Sequence, residues 1–221
     1  MLFNKKFIFS DVELQAIQQR IVDCEHEISG EIRIAYATAS NTYTSAALWG
    51  GVWFMWTGTL VYLLVEELFY KNSFIAFFQV NYLVLLQSIL FIGGALLTSR
   101  SFALKRLFSR KKSRTESVKE KAETIFLEKE IFATRQRTGI LIYISLLEHQ
   151  VYILPDTGIK ARVKDKEWKA VTGMIVAGIK RKKPADGTLE AITACRDLLL
   201  KNGFRATPDD TNELPNDIIL A

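Results

Sequence analysis

Apolar residues recur along this chain with two different periods, and in two places the periodicity disappears altogether. After Ser10-Asp11-Val12-Glu13, which has the form of a helix capping box, Leu14, Ile17, Ile21, Cys24 and Ile28 recur at spacings of three and four until Ser29-Gly30. That spacing predicts an amphipathic helix. Ile32, Ile34 and Tyr36 then alternate with Arg33 and Ala35, which is the period of a strand. From Ala46 to Val65 and from Phe74 to Thr98 there follow runs of 20 and 25 residues without a charge. At about 1.5 Å of helical rise per residue, each can cross roughly 30 Å of hydrocarbon. The charge-free interval before Glu66 reaches back to Ile34, and the second runs from Asn72 to Ser99. Neither helix offers the charged face of a soluble surface helix, so the pattern favours a transmembrane hairpin over two buried helices of a soluble core.

Beyond the runs the short periods return. Ser117-Val118-Lys119-Glu120 repeats the capping box and predicts a helix starting near Ser117, with Val118, Ala122, Ile125, Phe126 and Phe132 as its buried stripe. Gly139 to Leu147 is almost continuously apolar, as in a strand covered on both faces. Val151 to Leu154 continues after the polar turn Glu148-His149-Gln150, making an antiparallel hairpin. Pro155-Asp156-Thr157-Gly158 ends the strand. A helix is expected from about Asp165, burying Trp168, Val171, Met174, Ile175 and Ile179, and closing on Lys180 to Lys183 and Pro184. Another runs from about Asp186 to Asn202, buries Leu189, Ile192, Cys195 and Leu199, and stops at Gly203. The tail after Phe204 reads as extended.

One helix and one strand before the apolar runs are too few to bury a sheet face, so they are expected to complete the sheet formed after them. The fold class is α/β, one sandwich split by an inserted hairpin. Its parts are an N-terminal helix and strand over 1–40, transmembrane helices over 46–65 and 74–98, a basic juxtamembrane linker over 99–115, and the rest of the domain over 116–221.

Charge refines this picture. The net charge of +5 would suit a nucleic-acid ligand, but Arg100, Lys105, Arg106, Arg110, Lys111, Lys112 and Arg114 account for it, leaving 22 basic against 24 acidic residues elsewhere. A balanced remainder gives no footprint for a phosphate backbone, whereas a basic border beside an apolar run suits anionic lipid headgroups. The link between the runs carries Glu66, Glu67 and only Lys71, so the positive-inside rule places it outside and both termini in the cytoplasm, in agreement with Lys5, Lys6, Arg20 and Arg33. Met1 to Ser10 lacks an apolar core and a cleavage site, so no secretory signal is expected. Cys24 and Cys195 then lie in a reducing compartment and read as small core residues rather than a disulfide or zinc ligands. Ala46, Ala47, Gly50 and Gly51 in the first run and Gly94, Ala95, Thr98 and Ser99 in the second are small residues expected at one depth, where the two helices meet. Trp49, Trp53 and Trp56 follow helical spacing and read as interfacial anchors.

Phe9-Ser10-Asp11 through Ser29-Gly30-Glu31-Ile32-Arg33, Thr138-Gly139 through Ser145, Val151-Tyr152-Ile153-Leu154, Asp156, Gly158-Ile159, Trp168 and Asn212-Glu213-Leu214-Pro215 follow one another in this order. Together they resemble the TPM domain, and most of all bacterial membrane proteins that carry it. The resemblance implies an α/β sandwich with a central sheet flanked by helices, in a bacterial inner membrane. It also implies two sets of roles, weak calcium-associated acid phosphatases and accessory factors in the assembly or repair of membrane complexes. The split domain facing the cytoplasm departs from the familiar arrangement, in which the domain is exported behind a signal peptide and carries a single anchor.

The residues themselves offer little catalytic chemistry. There is no glycine-rich phosphate loop, no cysteine-x5-arginine pattern and no His/Asp cluster, and the two histidines, His26 and His149, fall on a helix and in a turn. The best metal candidates are Asp156 and Asp165, with Glu31 or Asp186 able to converge on a hard cation. Against this, Asp156 suits a turn, while Asp165 and Asp186 suit helix caps. Arg135 and Arg137, with Thr134 and Thr138, are set either to bind an anion or to cap the preceding helix. Lys180 to Lys183 reads as a helix-end cluster rather than a lipid contact. The favoured function is a membrane-anchored interaction or assembly module that contacts another membrane protein or complex; the alternative is a weak metal-assisted phosphatase. No cofactor is expected from the residues, calcium entering only through the resemblance.

Overall fold

A computed structural model describes residues 9–69 and 76–221. Lys5, Lys6, Lys71, the start of the second run at Phe74 and most of the Met1 to Ser10 segment therefore lie outside the described residues. The chain divides into two compact units, 1–40 with 115–221, and 41–114.

The first unit is built on a four-stranded sheet of order β3-β2-β1-β4. β1 (Glu31–Ala37) pairs in parallel with β2 (Gly139–Ser145), from Glu31 opposite Gly139 to Ala37 opposite Ser145. The strand that precedes the apolar runs thus joins the strand that follows them. β3 (Gln150–Pro155) is antiparallel to β2, and β4 (Ile219–Leu220) adds a short parallel edge to β1.

Helices cover both faces. α1 (Asp11–Glu25) begins with the expected capping box, in which Ser10 Oγ accepts from the Glu13 N–H at 3.4 Å and the Ser10 N–H donates to Glu13 Oε2 at 2.7 Å. Its Ile17, Ile21 and Cys24 pack with α7 (Trp168–Lys180) and α8 (Pro184–Lys201) on Ile32, Ile34, Ile140, Ile142 and Ile144. On the other face Val118, Ala122, Ile125 and Phe126 of α5 (Lys111–Glu128) pack on Ala35, Ala37, Leu141 and Tyr143. The molecule is accordingly a mixed α/β fold with a central sheet flanked by helices.

Several sequence expectations change here. The alternation in β1 suggested one wet face, yet all seven residues are buried, because α5 covers the side that Arg33 and Ala35 occupy. α5 starts at Lys111 rather than Ser117, which is interior and buried. Lysine and arginine are good helix formers, so nothing in the basic segment stops the helix. α7 starts at Trp168, with Glu167 at its N-cap rather than Asp165. α8 starts at Pro184, the N1 position that proline's fixed φ suits, so Asp186 lies inside the first turn. Gly203 closes α8 at φ +82°, in the left-handed region that glycine adopts freely. The tail is not simply extended, since it returns to form β4.

The second unit contains α2 (Thr44–Phe69), α3 (Ala76–Arg100) and α4 (Phe102–Phe108), where the basic segment was expected to be a plain linker. α2 and α3 pack along their length, and α4 packs on both. A Cβ added at Gly50 would lie 2.0 Å from Thr98 Oγ1, one at Gly51 would lie 2.8 Å from the Phe91 carbonyl, and one at Gly94 would meet Phe54 Cβ at 2.6 Å. The small residues do bring the helices together, Gly50 facing Thr98 as expected, while Gly51 and Gly94 face Phe91 and Phe54 rather than another small residue.

Candidate functional site

The polar groups that sequence singled out converge on one end of the sheet, where β1 and β2 begin and β3 ends. Two glycines let the chain close up there. A Cβ on Gly139 would lie 1.9 Å from the Ile131 carbonyl oxygen, and one on Gly158 would lie 2.4 Å from that of Gln136. The Asp156 N–H donates to the Gly139 carbonyl at 2.8 Å, and the Gly158 N–H donates to that of Arg137 at 3.0 Å. These contacts place Asp156, expected in a turn, as the N-cap of the short helix α6 (Thr157–Lys160), which sequence reasoning did not anticipate.

The cations beside it are neither an open anion site nor a cap for α5. Arg137 Nε and Nη2 donate to Asp156 Oδ2 and Oδ1 at 2.7 and 3.0 Å, and the guanidinium stacks 5.4 Å from the Phe132 ring centroid. The carboxylate raises the guanidinium's affinity for its proton. Arg135 donates from Nε to Glu213 Oε1 at 2.6 Å. Thr134 Oγ1 accepts from the Thr138 N–H at 2.8 Å. Both arginines thus tie separate chain segments together with two-pronged, charge-assisted contacts.

Next to these pairs, a cavity of about 290 Å³ is lined by Glu25, His26, Glu31, Asp210, Asn212 and Asn216, among others. Glu25 Oε1 accepts from the Ile32 N–H at 2.7 Å and Oε2 accepts from Asn216 Nδ2 at 2.8 Å. Burial nevertheless pushes its carboxyl up to about 8, with the Glu31 charge adding to the effect and the two hydrogen bonds opposing it. Glu31 is 8% exposed, accepts from the Glu213 N–H at 3.1 Å, and is raised mainly by burial. Glu31 Oε2 and Asp210 Oδ2 have no hydrogen-bond partner. Nearby in β1, buried Arg33 reaches Asp217 of the tail at 3.0 Å. Two carboxyls, both raised by burial, thus line one cavity roofed by residues 206–216. Its residues come from the end of α1, the start of β1 and the tail. No spacing or motif in the sequence signals that these three pieces meet.

Of the metal candidates, Asp156 is occupied by Arg137, Asp165 is exposed in the turn before α7, and Asp186 is exposed in the first turn of α8 beside Lys183. Among the described residues, no group of three or more His, Cys, Asp and Glu side chains is arranged to hold a metal ion. His149 sits in its hairpin turn at φ +53°, and His26 caps α1 at the rim of the notch. Lys180 closes α7, while Arg181 and Lys183 pair with Glu190 and Asp186 of α8.

A second polar group lies at the opposite end of the sheet. The buried Glu148 accepts from the Ser40 N–H at 2.8 Å and from the Ser145 hydroxyl, and Ser40 Oγ is 2.9 Å from the Tyr143 hydroxyl. Sequence reasoning took Glu148 for part of a solvated turn. Cys24 and Cys195 are both buried, and burial pushes both thiols up.

A sequence description of the TPM domain matches residues 105–198, which takes in β2, β3, α7 and most of α8 but leaves out α1, β1 and the tail. The solution structure of BA42 from the psychrophilic bacterium Bizionia argentinensis superposes with a TM-score of 0.59 at 20% identity, covering 100% of each chain, a likeness of fold. No curated protein matches the chain. The chain is thus similar to the TPM domain over residues 105–198 and to BA42 in fold, and the acidic notch is built from segments outside the matched region.

Proposed function

We propose that α2 and α3 anchor the TPM-like domain in a membrane, and that the domain acts on the cytoplasmic side as an interaction or assembly module for another membrane protein. The observation that carries this reading is the outer surface of the helix pair. Leu48, Leu60, Val61, Leu64, Leu85, Ile89, Ile92 and Leu97 are each more than half exposed, and only 17% and 11% of the most apolar stretches of the two helices are buried. A soluble protein does not leave so continuous an apolar surface in water. The basic border at 100–114 supports a cytoplasmic domain and contact with anionic headgroups.

The interaction role rests on the intact fold and on the state of Asp156, both of whose carboxylate oxygens are held by Arg137 rather than presented to a substrate. No comparable observation favours the phosphatase alternative. Sidedness is tested with cysteines placed at exposed positions, since Cys195 is fully buried and would resist an impermeant thiol reagent on either side. In intact cells Glu67→Cys should label and Lys201→Cys should not; the reverse would overturn the topology. For the partner, cross-linking in native membranes should capture a membrane protein with the wild-type chain and lose it when Gly178→Val disrupts the sheet unit. Capture unchanged by that variant would refute a domain-mediated interaction.

A further inference from the structure

Within the helical unit, α2 and α4 enclose a groove of about 580 Å³ that runs from a polar mouth to an apolar end. Val52, Trp53, Trp56 and Leu107 line one part, while Ser45, Ser109, Arg110 and Ser113 line the other. Trp53 packs on Phe108 with ring centroids 6.1 Å apart, fixing the floor between the two helices. The Arg114 guanidinium donates to the Ser109 carbonyl at 2.7 Å and to Ser109 Oγ at 3.1 Å, which holds the rim in place. Trp49, Trp53 and Trp56 nevertheless remain 62%, 54% and 66% exposed, a heavy aromatic stripe along the groove. Ser45 and Trp56 stand about 16 Å apart along the helix axis, enough for a headgroup and the upper part of an acyl chain. The volume falls within the usual range for sites that hold one small amphiphile.

From this groove we infer a binding site for one anionic phospholipid, its phosphodiester at Arg110 and the Ser45 and Ser113 hydroxyls and its acyl chain along Val52, Trp53 and Trp56. The inference rests on the membrane-anchored reading above. Charge complementarity selects this occupant. Residues 100–114 hold seven cations and no carboxylate, and the acidic residues of 41–114 are Glu66 and Glu67, at the far end of α2. The Ser109 hydroxyl is engaged by the Arg106 carbonyl and Arg114, but the Arg110 guanidinium with the Ser45 and Ser113 hydroxyls matches a phosphate diester, whereas an apolar partner helix would leave those donors unused.

The test reconstitutes the full chain in phosphatidylcholine vesicles and measures tryptophan quenching by acyl-brominated phosphatidylglycerol against acyl-brominated phosphatidylcholine at equal mole fraction. Buried Trp168 contributes a constant background. About 1 kcal/mol for one basic contact corresponds to roughly fivefold enrichment of the anionic lipid beside the groove. Arg110→Gln should abolish the preference, while Arg100→Gln, an equal loss of charge that spares the groove lining, should retain it. Equal quenching by the two lipids, equal loss in both variants, or disulfide dimers of Trp53→Cys that displace the lipid would each overturn the site. Failure of the chain to associate with any vesicle would instead refute the anchoring on which the site depends.

Discussion

Two helix pairs in this protein use the same device and live differently. In the sheet unit α7 and α8 touch at glycine, where a Cβ on Gly178 would stand 2.7 Å from Gly187 Cα. In the helical unit α2 and α3 touch where Gly50 meets Thr98 and Gly58 meets Leu90. Past the contact the two pairs diverge. α7 and α8 turn Val171, Ile175, Ile192, Cys195 and Leu199 inward onto the sheet, while α2 and α3 turn their large apolar side chains outward. In water, burial of apolar area drives association at about 25 cal/mol per Å². Between lipid-facing helices that term is absent and close packing of small residues takes its place. Glycine at a helix crossing thus says that backbones approach closely, and the residues around it say which solvent the pair expects.

The largest expected effect breaks the first pair. Gly178→Val sets a branched side chain against backbone atoms of Gly187 and the Lys183 carbonyl at 2.7–2.9 Å. A cost of about 3–5 kcal/mol is expected, read as a lower urea midpoint for exchange of the β2 amides. α2 and α3 should be untouched.

A second effect separates the units by pH. Glu25 titrates at about 8 in the folded state against 4.5 for the free side chain. Folding therefore binds a proton between those values, so stability is highest below about pH 4.5, falls as pH rises towards 8, and levels off above it. The span is at most about 5 kcal/mol, about 3.5 pH units at about 1.4 kcal/mol each. Glu25→Gln should flatten the slope and stabilise the sheet unit at pH 8. A cysteine pair at Gly58 and Leu90 should cross-link in proportion to thiolate alone, with no added step from helix separation.

Gly50→Val tests the second pair directly. It collides with the Thr98 side chain and should weaken the α2/α3 contact by about 1–3 kcal/mol, lowering cross-linking between Gly58→Cys and Leu90→Cys. The urea midpoint of the sheet unit should not move. The smallest effect is at the ion pair between half-exposed Arg137 and buried Asp156. Asp156→Ala removes the cap of α6 and the partner of Arg137, and should cost about 1–2 kcal/mol in the same urea experiment.

How much of this could be read from sequence followed from how local each cause is. The capping box at Ser10, the stop at Gly203 and the continuous apolar run of β2 depend on neighbours a few residues away, and were visible. So was the logic that a lone strand before the apolar runs needs a partner beyond them. The acidic notch was not visible, because Glu25, Glu31 and Asp210 acquire their properties from burial by a tail that returns to β1. Asp156 was noticed for the right reason, as a turn carboxylate, but its partner Arg137 was assigned to a helix end. Ser117 shows the opposite failure, a local capping signal overridden by a helix that had already started at Lys111.

The contrast between the two environments can be measured at two residues of similar exposure, Leu60 on α2 at 57% and Leu127 on α5 at 63%. Spin labels on Leu60→Cys and Leu127→Cys in the vesicle-reconstituted full chain would be relaxed by oxygen, which concentrates in hydrocarbon, or by a water-soluble nickel chelate. The account predicts that Leu60 responds to oxygen and is shielded from nickel, and that Leu127 does the reverse. Equal relaxation of both labels by nickel would place α2 in water and contradict the membrane-anchored reading.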